Sequence, residues 1–89
     1  MASPSTTYRQ MQVKVYAPFD TYFDGSASSV SAANATGPFD ILPRHKNFMC
    51  LLKPGELRVR RTGKADFVMK VKQAVMHVKK DRVTIFLDV

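Results

Sequence analysis

The sequence has little of the chemistry that holds small disulfide-rich or zinc-binding domains together. Of its 89 residues, one is cysteine and none is tryptophan. A single thiol, Cys50, excludes an intrachain disulfide and a zinc site built from several cysteines. Because Cys50 lies inside the apolar run "FMCLL", we expect it to act as a small core residue rather than as a reactive thiol.

Long apolar segments are also missing. A membrane-spanning helix needs about 20 consecutive apolar residues, and every apolar run in this sequence is far shorter. The N-terminal residues, "MASPSTT", do not form a signal peptide and are typical of a flexible leader. We therefore expect a leader over residues 1–10, a single domain over residues 11–89, and a soluble cytoplasmic protein.

Groups that could perform catalysis are few and scattered. The two histidines, His45 and His77, have no cysteine or carboxylate nearby at a spacing typical of metal ligands. "TGK" at 62–64 lacks the upstream glycine of a phosphate-binding loop. Three aspartates lie in the first half of the chain: Asp20, Asp24 and Asp40. Such residues more often cap turns than form a catalytic pair, so we predict a protein without catalytic residues, cofactor or metal.

Basic residues are abundant and are distributed asymmetrically. The formal net charge is +7, with two basic and three acidic residues up to position 43 and twelve basic and four acidic residues after it. The second half, at +8, indicates an anionic partner, which could be nucleic acid, a lipid surface or an acidic protein, or else a solvated lysine face. Few aromatics lie among the basic residues, which gives little support to single-strand nucleic-acid binding.

Apolar residues recur mostly at every second position, which is typical of strands with one buried face. Turn signals containing Pro, Gly or Asp separate these runs at short intervals. The pattern predicts an all-β sandwich or barrel of short strands. The predicted core is Val13, Val15, Phe23, Val30, Phe39, Ile41, Leu51, Leu57, Val59, Val71, Met76, Val78, Val83 and Ile85.

Two local features refine this prediction. Apolar residues shift from odd to even positions between Val71 and Ala74, and a shift by one residue moves side chains to the other face of a strand. We therefore expect a turn or bulge near Gln73. The stretch "GSASSVSAANAT", residues 25–36, reads either as a linker or as a strand of small side chains, and the alternation around Val30 favours the strand.

The order of motifs resembles the N-terminal β-sandwich domain of the epsilon subunit of F-type ATP synthases. The similarity rests on "VKVYAPFDTYFDG", "GPFDILPRH", "LLKPGELRVR" and "VTIFLDV", and it extends from about Met11 to the C-terminus. It implies an all-β sandwich of two antiparallel sheets with roughly eight to ten short strands. It also implies a non-catalytic central-stalk subunit that couples the gamma subunit to the membrane-embedded c-ring. The implied place is the inner face of the energy-transducing membrane, without insertion into it.

The resemblance also implies which residues contact partners. Within "ILPRHKNF", Ile41 and Leu42 would anchor a loop in the core, and the exposed side chains of Arg44, His45 and Lys46 would meet the ring. Asp40, Val75 and Phe86 complete the candidate set, with Val75 and Phe86 expected in an exposed apolar patch. The alternative for His45 is a purely structural hydrogen bond within the turn.

The sequence departs from the family pattern at several positions. Pro38 replaces a usual acidic residue, and Asp40 and Arg44 replace glycines. Family members continue into a two-helix hairpin that restrains ATP hydrolysis, whereas this sequence stops at Val89. From this we expect a chain that supports assembly and coupling without inhibiting hydrolysis or binding ATP. The alternative reading is a small basic β-barrel that binds single-stranded nucleic acid.

Overall fold

The strands follow the alternating segments of the sequence. The computed structural model describes residues 10–87, and in that part of the chain all regular secondary structure is β-strand. The nine strands are β1 (Met11–Tyr16), β2 (Thr21–Ala27), β3 (Ser29–Asn34), β4 (Gly37–Ile41), β5 (Phe48–Leu52), β6 (Gly55–Arg60), β7 (Phe67–Val71), β8 (Ala74–Lys79) and β9 (Arg82–Leu87). Apart from Gln10, the predicted leader lies outside the described residues, and no described segment forms a helix able to cross a bilayer.

Two sheets pack face to face, which confirms the predicted sandwich. The five-stranded sheet has the order β2-β1-β9-β8-β5, and the four-stranded sheet has the order β4-β3-β6-β7. All strand pairs are antiparallel except β1 and β9, which run parallel. This parallel pair is the exception within antiparallel sheets: β1 and β9 are far apart in sequence, so no hairpin turn dictates their relative direction.

Four short connections carry the chain between the sheets, and two of them are hydrogen-bonded through the backbone to a strand of the four-stranded sheet. At the β2–β3 junction, the Ser28 N–H donates to the carbonyl of Arg60 at 2.7 Å; after β5, the Lys53 N–H donates to the carbonyl of Ala33 at 2.9 Å. The bend at residues 72–73 carries the chain from β7 in one sheet to β8 in the other. This crossing explains the shift in apolar parity predicted near Gln73. Residues 29–34 form β3, so the strand interpretation of the Ser/Ala-rich stretch is confirmed.

The core lies between the sheets and consists of the inward-facing member of each alternating pair. Most of the predicted core residues are buried, while Phe23 and Phe39 are partly buried and pack against the core. Leu51 was wrongly predicted to be buried: it is 72% exposed, whereas Leu52 is 3% exposed. Additional buried residues are Met11, Ala17, Ala27, Ala32, Leu52, Ala74 and Leu87. The alanines were missed because a small side chain gives a weak signal of burial.

The two ends of the sandwich differ in character. One end, which we call the basic end, contains the β4–β5 loop (residues 42–47), the β8–β9 turn (residues 80–81) and the β6–β7 loop (residues 61–66). These loops carry five cations and two carboxylates: Arg44, Lys46, Arg61, Lys64, Lys80, Asp66 and Asp81. The opposite end contains the β1–β2 loop with the exposed Phe19 and the connections around residues 53–54 and 72–73.

Candidate partner interface

The β4–β5 loop, predicted as a ring-contacting tip, is a well-bonded turn at the basic end. Arg44 occupies the left-handed region with φ 68°, which is costly for a residue with a Cβ atom. The Asp81 carboxylate accepts a hydrogen bond from the Arg44 N–H, and this contact favours the strained conformation. The side chains of Arg44 and Lys46 are exposed, as predicted.

His45 differs from the prediction because it is half-buried instead of exposed. Its ring lies against the ring of Phe48, with 4.9 Å between centroids. Its Nδ1 lies 2.8 Å from the carbonyl oxygen of Lys46, and since a carbonyl only accepts, Nδ1 is the donor. The His45 N–H donates to the carbonyl of Leu42 at 3.1 Å. His45 therefore stabilises the turn and leaves only part of its ring for a partner.

Leu42 was also placed wrongly by the sequence argument. It was expected to anchor the loop in the core, but it is 56% exposed, while its neighbour Ile41 is fully buried. β4 ends at Ile41, so Leu42 follows as the next, outward-facing position and Pro43 prevents further pairing. The tip thus presents an apolar side chain beside its two cations.

The β8–β9 turn is fastened to this loop. Besides the Asp81 contact with Arg44, the side-chain oxygen of Asn47 accepts from the Lys80 N–H at 3.2 Å. Asp81 also accepts through its carbonyl from the Gln12 N–H at 2.9 Å. These bonds join the tip to the β8–β9 turn and the turn to the start of β1, so the tip and the turn form one continuous surface.

The other candidate residues lie elsewhere. Asp40 is in β4, on the outer face of the four-stranded sheet, and accepts a hydrogen bond from Ser31. Ser31 in turn accepts from Arg60. Asp40 is therefore engaged in a local polar network on that sheet, and the structure does not bring it together with the side chains of the tip.

Val75 and Phe86 lie directly opposite each other in neighbouring strands, on the outer face of the five-stranded sheet. They are 36% and 38% exposed. The register extends this pair into a row, because Leu51 pairs with Val75 and Tyr16 pairs with Phe86. The rings of Tyr16 and Phe86 meet edge to face with centroids 5.1 Å apart.

This four-residue set, the apolar row, crosses four adjacent strands near the end opposite the tip. A groove of about 270 Å³ lies along it and is lined by Leu51, Leu52, Gln73, Ala74, Val75 and Phe86. Sequence reasoning found Val75 and Phe86 but missed Leu51 and Tyr16. Strand register brings these four together, and register between distant strands is not visible in a single sequence.

Charge on the outer face of the four-stranded sheet is balanced locally. Within residues 10–87 both ion pairs involve Arg58, whose guanidinium reaches Asp66 at 2.9 Å and Glu56 at 3.1 Å. Hydrogen bonds to Asp66 and Glu56 raise the pKa of Arg58 above its already high ordinary value. Arg58 therefore stays charged and is held by its neighbours.

The described residues contain no group of three His, Cys, Asp or Glu side chains placed to hold a metal ion. Asp20 lies in the β1–β2 loop, where its backbone carbonyl accepts from the Ala17 N–H at 2.8 Å. Asp24 lies in β2 opposite Lys14. His77 is exposed on β8, and the half-buried Cys50 packs against the core.

A protein-family model matches nearly the whole chain. The model, described as the β-sandwich domain of the ATP synthase delta/epsilon chain, covers residues 10–89. Two similar curated proteins are ATP synthase epsilon chains from Neisseria meningitidis serogroups C and B, which are 35% and 32% identical over 80 residues. Each match covers 89% of this chain and 57% of the relative, so the chain spans little more than half the length of these relatives.

Solved structures share the fold. One match is a chain of the mitochondrial ATP synthase of Euglena gracilis, from a structure of its OSCP, F1 and c-ring, with a TM-score of 0.81 and 18% identity. That match covers 88% of this chain and 50% of the Euglena chain. Another is from the central stalk and c-ring of the Tetrahymena thermophila mitochondrial enzyme, with a TM-score of 0.74, 22% identity, and coverage of 91% and 65% respectively.

Proposed function

Because the chain belongs to the family of ATP synthase delta/epsilon β-sandwich domains, we propose that it acts as a non-catalytic epsilon-type subunit of the central stalk. In this role it couples the gamma subunit to the c-ring, so that rotation of the ring reaches the catalytic head. It does so at the inner, cytoplasmic face of the energy-transducing membrane, as a peripheral component. A mechanical role of this kind requires two separate contact surfaces on a rigid body.

The observation that carries the proposal is the presence of two such surfaces at opposite ends of one sandwich. The apolar row of Tyr16, Leu51, Val75 and Phe86 supplies one of them. Exposed apolar side chains in a contiguous patch are typical of protein interfaces, and aromatic residues are enriched at interface cores. We assign this surface to the gamma subunit.

The tip supplies the second surface. Arg44, Lys46 and Leu42 are exposed, while Asp81 and Asn47 hydrogen-bond the loop to the β8–β9 turn. A contact whose loop is already ordered avoids the entropic cost of ordering it on binding. We assign this surface to the polar loops of the c-ring. Asp40 and His45 would then lie at the edge of this surface. Asp40 stays hydrogen-bonded within its own network, and His45 offers the c-ring only the exposed part of its side chain.

The two assignments are tested by variants that disable one surface at a time. Val75→Glu places a charge in the apolar row and should abolish recovery of gamma in a pull-down with purified subunits. Val68→Glu is the matched control, because Val68 is an exposed valine on the outer face of the other sheet. An equal loss of gamma with both variants, or with neither, would contradict the assignment.

The tip is tested by Arg44→Gly combined with Lys46→Ala. Glycine accepts the left-handed conformation of position 44 without a steric penalty, so the sandwich should remain folded. Recovery of the c-ring should fall while recovery of gamma stays unchanged. Loss of both partners would mean that the tip does not form a separate surface.

A further inference from the structure

A cluster of cations on the outer face of the β8–β9 hairpin is not used by either surface proposed above. Lys79 and Arg82 pair across the hairpin, and Lys80 lies in the turn. His77 and Thr84 form the next pair on the same face of the sheet. The five residues line a shallow hollow of about 370 Å³. We call Lys79, Lys80 and Arg82 the hairpin cations.

The hairpin cations are not neutralised by their own fold. Their side chains make no ion pair or hydrogen bond within residues 10–87, where both ion pairs belong to Arg58. The carboxylate of Asp81 lies in the same turn but bonds to the backbone of Arg44. By contrast, Arg60 at the same end donates to Ser31, and Arg61 donates to the carbonyl of Ala65.

The neighbouring tip extends this surface. The hydrogen bonds from Arg44 to Asp81 and from Lys80 to Asn47 hold the tip against the hairpin. The exposed Leu42 therefore stands at the same end as the hairpin cations, with Arg44 and Lys46 beside it. An apolar side chain surrounded by cations suits a membrane interface, where the apolar group enters the headgroup region and the cations meet lipid phosphates.

We propose that the β8–β9 hairpin binds the surface of a bilayer containing anionic phospholipids, with Lys79, Lys80 and Arg82 as the main contacts. Two observations favour lipid over other polyanions. Exposed aromatics, on which nucleic-acid bases would stack, lie at the opposite end, as with Phe19 and Phe86. Lysine, which is depleted at protein interfaces, supplies two of the three cations. The three main contacts lie outside the gamma and ring surfaces, while Leu42, Arg44 and Lys46 belong to the tip assigned to the ring. Binding by the hairpin cations therefore does not depend on either assignment.

The test is co-sedimentation of the 89-residue chain with vesicles. Vesicles of phosphatidylcholine alone are compared with vesicles of equal parts phosphatidylcholine and phosphatidylglycerol. We expect binding to the anionic vesicles only, and we expect it to weaken as salt is raised because salt screens exposed charges. Equal binding to both vesicle types would overturn the proposal.

Location is tested with two triple variants of equal charge. The hairpin variant carries Lys79→Gln, Lys80→Asn and Arg82→Gln, with Asn chosen because it tolerates the positive φ of 50° at position 80. The control carries Lys53→Gln, Lys70→Gln and Lys72→Gln, all exposed positions away from the hairpin. Each basic residue near an anionic membrane adds about fivefold to partitioning, so the hairpin variant should bind on the order of 100-fold more weakly. The control should stay close to the parent.

The remaining outcomes also decide the matter. Equal losses in the two triple variants would show a response to net charge alone and would overturn the proposal. If a short single-stranded oligonucleotide displaces the protein from the vesicles and binds it more tightly than lipid does, the surface would be assigned to nucleic acid instead. The parent chain could fail to bind anionic vesicles while the hairpin variant fails to assemble with purified synthase subunits. That pair of results would assign the surface to an acidic protein and overturn the proposal. Circular dichroism confirms that each variant is folded, and because the vesicles contain no synthase subunit, failure here leaves the proposed function standing.

Discussion

At the scale of single residues, the β8–β9 turn depends on two positions that are not glycine. Lys80 and Asp81 have φ values of 50° and 60°, which is the geometry of a two-residue type I′ hairpin. Asparagine and aspartate tolerate this region better than other residues with a side chain. Asp81 fits the turn and, through its carboxylate, also holds Arg44 in its own left-handed conformation. One side chain therefore stabilises two strained backbone positions.

We expect Asp81→Ala to destabilise the protein by about 2–3 kcal/mol. The substitution removes a hydrogen bond to a charged acceptor and places a residue without a polar side chain in the left-handed region. The measurement is the free energy of unfolding in urea. Asp81→Asn keeps an acceptor and the tolerance for positive φ, so it should cost only about 1 kcal/mol. A change of less than about 0.5 kcal/mol for Asp81→Ala would show that the carboxylate contact contributes little.

At the scale of elements, strand register decides which member of each neighbouring pair is buried. β5 contains two consecutive leucines, and the antiparallel register with β8 pairs Leu51 with the outward Val75 and Leu52 with the inward Ala74. The alternation within β5 itself is ambiguous, since the whole segment "FMCLL" is apolar. The neighbouring strand β8, whose pattern alternates, resolves the ambiguity.

The two leucines provide a matched test of this register. Leu52→Ala should destabilise the protein by about 2–5 kcal/mol, because it leaves a cavity between the sheets. Leu51→Ala should change the free energy of unfolding by no more than about 0.5 kcal/mol. Chemical denaturation of both variants, side by side, measures the difference. Equal costs would mean that β5 is shifted by one residue from the register described here.

At the scale of the whole molecule, the apolar and the basic surfaces of the sandwich lie toward different ends. The apolar row lies toward one end and the unpaired cations lie at the other, while Arg58 and its two carboxylates balance charge on the second sheet. Strands that are hydrogen-bonded to their neighbours run the length of both sheets and connect the two ends. This arrangement suits a body that transmits force between two partners.

A prediction at this scale concerns ATP hydrolysis. In the epsilon family the helical hairpin is the part that restrains hydrolysis, and residues 10–87 of this chain are built from strands and their connections. Titration of the 89-residue chain into a reconstituted catalytic head with gamma should therefore leave the hydrolysis rate unchanged, even where a pull-down shows binding to gamma. Calorimetry with ATP should detect no binding, since no phosphate-cradling loop is present in the sequence. Potent inhibition or micromolar affinity for ATP would contradict this prediction.

The sequence by itself determined the fold class and most of the core. In segments such as Met11–Tyr16 and Arg82–Leu87 apolar residues recur at every second position, and one buried face per strand follows from a side-chain period of two. The bend near Gln73 was also visible, because a change of parity requires a change of sheet or a bulge. Exposure of Val75 and Phe86 followed from the same alternation.

Only the tertiary structure decided which distant residues share a surface. The parallel pairing of β1 with β9 completes the apolar row, and the contacts of Asp81 with Arg44 and of Asn47 with Lys80 join the tip to the hairpin. The exposure of Leu51 and Leu42 and the half-burial of His45 were likewise settled by neighbours from other strands. The physical reason is that alternation along one strand determines only which of its own side chains share a face of the sheet. Register and packing between strands depend on side chains that are far apart in the sequence.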